Sequence, residues 1–233
     1  MTDARTLFAV WLGRISYAPA FELQQVVAQL RAENKLADTL LLLEHEPVYT
    51  LGRRAPEEEI LLDADALAER GIAVERTDRG GRVTYHGPGQ LVGYPIVRLE
   101  TADLVGYVRA LERAMIAVAS DFGVDAGTIE GLTGIWAGDR KLGAIGIHVS
   151  RGITTHGFAL NVNTDLSMFN GIVPCGVVDR GVTSLAEILG GEVPMADVVA
   201  ATTKRVAEAL GKFRVVEATL GDLGLEEAFR VGP

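Results

Sequence analysis

The sequence contains only one cysteine in 233 residues, so no disulfide can form within the chain. A reducing compartment is the simplest interpretation, and we expect a cytoplasmic protein. Long hydrophobic runs are also missing near the N-terminus. The apolar stretch at residues 7–12 is too short for a signal-peptide core with its cleavage site, or for a membrane span. We therefore expect no membrane partner.

The chain also has few positively charged residues. It contains 22 Lys and Arg and 31 Asp and Glu, which give a net charge of −9. A nucleic-acid binder usually presents a basic face, so we expect no nucleic-acid partner. An acidic partner would have to dock on a local basic patch against the overall field. The densest candidate patch is formed by Arg76, Arg79 and Arg82, with Arg53, Arg54, Arg140 and Lys141 nearby in sequence.

Several cofactor and catalytic motifs are absent. The chain has no GK[ST] phosphate loop, and GPGQLVG has the wrong glycine spacing for a dinucleotide turn. No G-x-S-x-G elbow occurs, and four scattered histidines with one cysteine lack metal-ligand spacing. We expect no metal.

Helical and strand patterns alternate along the chain. Residues 18–34 and 104–122 have helical spacing, and the continuous apolar run at 39–44 indicates a buried strand. Gly138-Asp139 predicts a hairpin between strands at 134–137 and 140–149, and Ser184-Leu185-Ala186-Glu187 has capping-box spacing for a short helix. This pattern favours an α/β (α+β) fold, a mixed and largely antiparallel sheet flanked by helices, over a doubly wound parallel sheet.

The chain shows no repeat and no linker, so we predict a single domain over residues 1–233. Two details of the fold are less regular. Pro95, within a strand at 91–97, suggests an edge or a bulge. The last twenty residues could form a small separate unit.

Cys175 is the first candidate for chemistry. A lone cysteine is often a small buried hydrophobic residue. Here Pro174 fixes the backbone before it and Gly176 frees the backbone after it, which places the thiol on a sharp turn with room for a substrate carbonyl. These neighbours indicate a nucleophile.

A cysteine nucleophile needs a base or a cation, because a free thiol, with a pKa of about 8.5, is mostly protonated at neutral pH. Lys141 is one candidate, since it follows the hairpin turn and alternation places it on the apolar face of Gly143 and Ile145. It is either a lysine at the hairpin rim that extends to water or an ammonium group held in a poorly solvated pocket. The other candidates are His45, His86, His148 and His156.

Glycines mark two further features. In RGGRVTYHGPGQ, at 79–90, glycine pairs bracket a short strand, and they predict either two tight turns or backbone amides that face a ligand. In KLGAIG, at 141–146, and THGFA, at 155–159, small residues predict either a groove over the sheet or a close helix crossing. His86 is a candidate for orienting the substrate.

Four separated stretches resemble the octanoyltransferases of protein lipoylation, the family also called lipoate-protein ligase B. They are LLLLEHEPVYTLGRR at 40–54, RGGRVTYHGPGQLVGYPI at 79–96, KLGAIGIHVSRGITTHGFALNVN at 141–163 and GIVPCG at 171–176. Their order and number make the resemblance specific. It implies a catalytic domain like that of the biotin and lipoate protein ligases.

The resemblance also implies an activity and a set of residues. The donor would be octanoyl-acyl carrier protein, with the acyl group on its phosphopantetheine. The acceptor would be a lysine on the lipoyl domain of a 2-oxoacid dehydrogenase E2 subunit or on the glycine-cleavage H protein. Cys175 aligns with the acyl-thioester nucleophile and Lys141 with the lysine that tunes it. Three stretches align with substrate-binding segments: Arg79, Gly80, Gly81, Arg82, Val83, Thr84, Tyr85 and His86; Ala144, Ile145 and Gly146; Gly157, Phe158 and Ala159.

On this hypothesis neither ATP nor a metal is needed, because one thioester is exchanged for another and the amide then forms downhill. We expect a monomer. The alternatives are an ATP-dependent lipoate or biotin ligase on the same scaffold, a carrier-protein-binding module without activity, and a cysteine hydrolase.

Overall fold

The computed structural model describes residues 5–101, 103–173 and 180–227. The strands are β1 (Thr6–Ile15), β2 (Asp38–His45), β3 (Val48–Leu51), β4 (Ala73–Arg76), β5 (Val83–His86), β6 (Gln90–Ile96), β7 (Gly127–Ile129), β8 (Leu132–Ala137), β9 (Arg140–Ser150), β10 (Ile153–Asn161) and β11 (Arg214–Glu217). The helices are α1 (Tyr17–Ala32), α2 (Ala64–Glu69), α3 (Leu104–Asp121), α4 (Leu185–Leu189) and α5 (Met195–Ala209), with short 3-10 helices at Glu57–Glu59 and Leu166–Gly171.

The described strands form two sheets. The larger has eight strands in the order β11-β1-β2-β6-β10-β9-β8-β7, and the smaller has three in the order β4-β3-β5. In the larger sheet only β1 makes parallel pairs, with β2 and with β11, and the other neighbours are antiparallel. The predicted mixed, largely antiparallel sheet flanked by helices is confirmed.

The apolar run in β2 explains how the large sheet is buried. Leu40 and Leu42 pack in the core cluster of α3 and α5, whereas Leu41 and Leu43 pack in the cluster of α1. Successive side chains of a strand point to opposite faces, so a run without alternation requires a cover on both. The small sheet has its own core, centred on Tyr49 and Tyr85.

The structure contains the turn and the helix cap that local sequence signals predict. The predicted hairpin joins β8 to β9, and Gly138 adopts the left-handed conformation (φ 61°) that its turn requires. At the start of α4 the Ser184 hydroxyl accepts a hydrogen bond from the Glu187 amide at 3.1 Å.

Two expectations about strand positions were wrong. Pro95 lies inside the sheet, because β6 is flanked by β2 and β10. It is tolerated there because the β6–β10 ladder ends at the Gly93–Phe158 pair, before the missing N–H of proline would matter. Residues 214–227, the described part of the last twenty residues, are not a separate unit, since β11 pairs with β1 and Leu225 is buried in the α1 cluster.

Within the described residues, no helix is long and apolar enough to cross a bilayer.

His45, at the end of β2, is a fully buried neutral base. Its Nδ1 donates to the Ile15 carbonyl at 3.0 Å, so its Nε2 accepts from the Tyr94 hydroxyl at 2.7 Å. Burial lowers the pKa of His45 from 6.5 to about 4, and the bond to Ile15 opposes this only in part. The folded protein therefore binds a proton here less readily than the unfolded chain does.

We predict that His45 makes the protein less stable in acid. The unfolded chain takes up a proton as the pH falls through 6.5, whereas the folded chain resists until about pH 4. The free energy of unfolding should therefore fall by about 2 kcal/mol between pH 7 and 4.5 from this group alone. Urea unfolding of the wild type and of His45→Asn at several pH values would compare how steeply the free energy of unfolding falls with pH. The half-buried His148→Asn is the control. Equal pH slopes for the wild type and His45→Asn would contradict the prediction.

Candidate active site

A cavity of about 380 Å³ lies where the small sheet meets strands β9 and β10 of the large sheet. Segment 79–86 forms one wall and the strand pair β9–β10 another. Tyr17 of α1, Val108 of α3 and Val182, which precedes α4, also line it. Segments distant in sequence therefore converge on one partly open cavity.

The two sheets are joined by residues 78–81. The Gly80 amide donates to the Ile147 carbonyl at 2.9 Å, and Asp78 Oδ1 lies 2.6 Å from His156 Nε2. The guanidinium group of Arg79 is buried, and it donates to the carbonyl and hydroxyl oxygens of Thr50 and to the Gly80 carbonyl. A charged group at the cavity wall is thereby solvated by protein oxygens instead of water.

Most of the residues singled out in the sequence line this cavity. They are Lys141, Arg79, Gly80, Gly81, Val83, Thr84, His86, Ala144, Ile145, Gly146, Gly157, Phe158 and Ala159. The structure thus brings three separate sequence motifs together around one space. Their roles in binding substrate stay predictions.

Arg82 and Tyr85 do not line the cavity. Arg82 forms an ion pair with Glu59 and keeps 46% of its side chain exposed. Tyr85 is buried in the core of the small sheet, edge-on to Tyr49 and Phe169. Strand alternation accounts for Tyr85, which lies on the opposite face of β5 from Thr84 and His86, although Val83 on that face still reaches the cavity. Cys175 falls outside the described residues.

Lys141 lies beside an aromatic ring and a backbone bridge. Its Nζ is 4.9 Å from the centre of the Trp136 ring, a cation–π geometry. Its amide donates to the Gly181 carbonyl, and its carbonyl accepts from the Thr183 amide, both at 2.9 Å. Lys141 is half-buried and lines the cavity, so it is not a rim lysine that simply extends to water.

The alternation argument for Lys141 needs correction. Trp136 pairs with Lys141 while the preceding Ile135 pairs with Gly143, so β9 carries one extra residue at this point. A bulge of this kind breaks the two-residue repeat. Lys141 therefore does not share a face with Gly143 through an unbroken strand.

The glycines of β9 and β10 mostly permit close packing against other parts of the protein. A Cβ at Gly146 would lie 3.0 Å from the Gly80 carbonyl, and one at Gly143 would lie 3.1 Å from Met115 Sδ of α3. A Cβ at Gly157 would collide with the carbonyl of Gly93. The helix contact accounts for only part of the crowding at Gly143, where a Cβ would also lie 3.0 Å from Ile135 Cγ1, and the nearest atoms at Gly146 belong to Arg79 and Gly80.

Some backbone amides of the glycine pairs that flank β5 also form hydrogen bonds within the protein. The Gly80 amide bonds to Ile147, and the Gly89 amide donates to Glu44 Oε2 at 2.7 Å. These two N–H groups are therefore not available to a ligand. Of the two alternatives for these glycine pairs, amides that face a ligand therefore do not apply to Gly80 and Gly89.

Sequence reasoning missed a set of polar residues behind the cavity. Tyr17, Gln90, Tyr94 and Asn161 line it, and Asp78 reaches it through His156. Asp78 lies next to the recognised motif RGGRVTYH, and Gln90, Tyr94 and Asn161 lie within the matched stretches at 79–96 and 141–163, so their positions were usable signals. Tyr17 of α1 lies outside those stretches, and no local pattern places it beside the cavity.

Burial keeps the cavity histidines neutral. It lowers the pKa of His86 well below 6.5, and it lowers the pKa of His156 against the opposing effect of Asp78. The hydrogen bond from His156 in turn lowers the pKa of Asp78. His156 also has an unusual backbone (φ 56°), which fits a residue held by its surroundings. His148 lies outside the cavity lining, 3.7 Å from Asp78.

Comparison with known proteins gives a consistent result. The model of the family described as "Lipoyl protein ligase A/B catalytic domain" matches residues 16–207. A protein named Octanoyltransferase from Solibacter usitatus is 55% identical over 179 residues, which cover 76% of this chain and 81% of that one. Another of that name, from Chloroflexus aggregans, is 51% identical and covers 83% and 90%.

Solved structures share the fold. A lipoate-protein ligase A bound with ATP superposes with a TM-score of 0.78 at 21% identity, covering 95% of this chain and 92% of that one. A biotin protein ligase from Aquifex aeolicus in complex with biotin and ATP gives 0.54 at 16% identity, covering 88% and 71%. At these identities the likeness concerns the fold alone, and it agrees with the predicted ligase-like architecture.

We predict that Gly157→Ala destabilises the protein by about 1–3 kcal/mol, because its Cβ would press on the Gly93 carbonyl and on Pro95 Cδ at 2.6 Å. Gly127→Ala in β7 is the matched control, since no heavy atom lies within 4 Å of its Cβ position. Urea unfolding of both variants tests this. If Gly157→Ala were as stable as Gly127→Ala, the close packing of β10 against β6 would be wrong.

Proposed function

The chain belongs to the lipoyl protein ligase A/B family and, within it, to the octanoyltransferases, which makes it an acyltransferase. From this premise we propose that it moves an octanoyl group from acyl carrier protein to a specific lysine of a lipoyl domain. Cys175 would carry the acyl group between the two as a thioester. The observation that supports this most strongly is the cavity that combines an apolar wall with Lys141.

The cavity suits a linear acyl chain. Apolar side chains of Val83, Ile145 and Phe158 contribute to its lining, together with the small residues Ala144 and Ala159. Each methylene removed from water contributes about 0.8 kcal/mol, so an eight-carbon chain can bind through apolar contact alone. A chain of this kind needs no charged partner at its far end.

The first half-reaction exchanges thioesters. The Cys175 thiolate attacks the carbonyl carbon of the octanoyl thioester, and the bond between that carbon and the phosphopantetheine sulfur breaks. Lys141 stabilises the thiolate and gives its proton to the departing thiol. The products are octanoyl-Cys175, neutral Lys141 and free carrier thiol.

The second half-reaction forms the amide. The acceptor amine attacks octanoyl-Cys175, the C–N bond forms and the C–S bond breaks. Lys141, now neutral, takes the proton that the amine loses, so the enzyme returns to its starting state. Thioester exchange is nearly balanced and amide formation is downhill, which is why we propose no role for ATP or a metal.

The position of Lys141 supports its pairing with Cys175. Val182, seven residues after Cys175, forms a bridge with Lys141, and Val182 lines the cavity. On the other side, the Val173 amide donates to the Glu59 carbonyl at 2.8 Å beside the small sheet. Both described ends of the segment that carries Cys175 are thus fixed to the two sheets that enclose the cavity.

Exposed arginines support an acidic carrier as donor. Arg54 lines the cavity, Arg53 precedes it, and the Arg180 guanidinium lies 6.0 Å from the Trp136 ring next to Lys141. None of the three forms an ion pair with another described residue. Local positive charge of this kind can attract an acidic carrier or its phosphate despite the net charge of −9.

An ATP-dependent ligase is the nearest alternative, because the lipoate-protein ligase A of the same fold was solved with ATP. Such an enzyme would form an acyl-adenylate and would not need Cys175. Product formation from octanoyl-carrier without ATP and magnesium separates the two. A binding module would accumulate no thioester, and a hydrolase would release octanoate as fast without an acceptor.

We predict that Cys175→Ala abolishes the covalent octanoyl adduct, because the sequence contains no other cysteine whose thiol could replace it. Intact-mass spectrometry after mixing with octanoyl-carrier detects the adduct in the wild type. Wild-type protein pretreated with an alkylating reagent is the control and should behave like the variant. An octanoyl adduct that persisted on Cys175→Ala would refute the assignment.

We predict that Lys141→Arg slows turnover by about 100-fold or more, because a guanidinium keeps its proton while it preserves the charge. The same substitution at Lys204, an exposed residue of α5, is the matched control and should leave turnover unchanged. Steady-state octanoylation of a lipoyl domain measures both. Turnover of Lys141→Arg within a few-fold of wild type would rule out proton transfer by Lys141.

A further inference from the structure

His86, the last residue of β5, is a buried side chain in the cavity wall with 8% exposure. One of its nitrogens, Nδ1, lies 2.7 Å from Gln90 Oε1. The other, Nε2, has no hydrogen-bond partner among the residues that the structure describes. The reaction scheme above gives His86 no task, although a buried polar atom that opens onto a cavity requires an explanation.

A chain of hydrogen bonds fixes which nitrogen of His86 carries the proton. Asn161 Nδ2 donates to the Thr183 carbonyl at 2.9 Å, so its Oδ1 is an acceptor. Gln90 Nε2 donates to that Oδ1 at 2.9 Å and to the Tyr85 carbonyl at 3.2 Å, so Gln90 Oε1 is an acceptor as well. His86 Nδ1 must then be the donor, which leaves the lone pair of a neutral ring on Nε2.

The surroundings keep this ring neutral. Burial lowers the pKa of His86 well below 6.5, and the positive potential of Arg79 and the neighbouring rings of His45 and His156 lower it further. The Gln90 bond opposes this shift without overcoming it. At neutral pH, Nε2 is thus an acceptor of hydrogen bonds and a poor acceptor of protons.

We propose that His86 Nε2 accepts a hydrogen bond from the ε-amine of the acceptor lysine and orients that amine towards the acyl-thioester carbon. The inference rests on the function proposed above, and it adds a residue that acts in the second half-reaction. The proton released in amide formation still goes to Lys141, and His86 holds the nucleophile without changing its own charge.

The chemistry of the reactants supports the acceptor amine as the partner. The thioester carbonyl is itself a hydrogen-bond acceptor, so a lone pair on Nε2 would repel it. The acyl chain is apolar. Of the substrate groups that take part in bond making, the acceptor amine is the one that brings N–H donors to the reacting carbon. Holding such a nucleophile in line is a recognised source of rate enhancement.

Two substitutions separate the nitrogens of His86. In His86→Asn the amide N–H can replace Nδ1 in the bond to Gln90, but nothing replaces Nε2. In His86→Gln the longer side chain places an amide oxygen near the position of Nε2, so the acceptor is restored. The pair therefore tests the acceptor atom and not merely the presence of a side chain.

The experiment measures the two half-reactions separately. Intact-mass quench experiments give the rate of octanoyl-Cys175 formation from octanoyl-carrier, and then the rate of transfer from isolated octanoyl-enzyme to a lipoyl domain. We expect the ratio of the transfer rate to the acylation rate to fall by about 100-fold in His86→Asn, the order expected for loss of one positioned polar contact at a reacting group. His86→Gln should recover at least tenfold of that loss.

Each outcome is decisive. An unchanged ratio in His86→Asn, or His86→Gln as impaired as His86→Asn, would overturn the role of Nε2. His148→Asn, outside the cavity lining, is the control and should keep the wild-type ratio. Thermal unfolding of each variant shows that it is folded, and a rate ratio is insensitive to the fraction of active protein. If wild-type protein formed no octanoyl-enzyme at all, the proposed function would fail instead, before His86 is tested.

Discussion

The structure depends on the contact that residues 78–81 make with strands β9 and β10. One backbone hydrogen bond from Gly80 to Ile147 and one pair between Asp78 and His156 attach the small sheet to the large one. Gly146 favours this close contact, because a Cβ there would lie only 3.0 Å from the Gly80 carbonyl oxygen. Without this close approach the cavity would have no wall opposite β9, and the residues of the two motifs would not meet.

The electrostatic design of the cavity follows from the same contact. Arg79 is buried where the sheets join, and its charge is solvated by oxygens of Thr50 and Gly80. Two histidines in the wall stay neutral, because burial beside a guanidinium disfavours their charged forms. These two histidines therefore add no positive charge to the wall, and the Lys141 ammonium lies 4.9 Å from the centre of the Trp136 ring. The cavity thus combines an apolar wall with a lysine side chain.

Much of the fold was predictable, because its signals are local. The apolar run of β2, the Gly138 turn and the Ser184 cap each act within a few residues, and each was found in the structure. Three of the four sequence motifs, those at 40–54, 79–96 and 141–163, also contain most of the cavity lining. The features that the sequence did not predict depend on partners far away in sequence. They are the bulge at Lys141, the central position of Pro95 and the pairing of β11 with β1. No periodicity within a strand can reveal where its neighbour skips a residue.

The central claim is that the acyl group occupies this cavity while it is bound to Cys175. The most direct test is a crystal structure of the isolated octanoyl-enzyme. The account predicts that the chain lies against Ala144, Gly146 and Phe158, with the thioester within reach of Lys141 Nζ. An acyl chain found on the outer surface of the sheets, with the cavity empty and Lys141 directed away from the thioester, would contradict it.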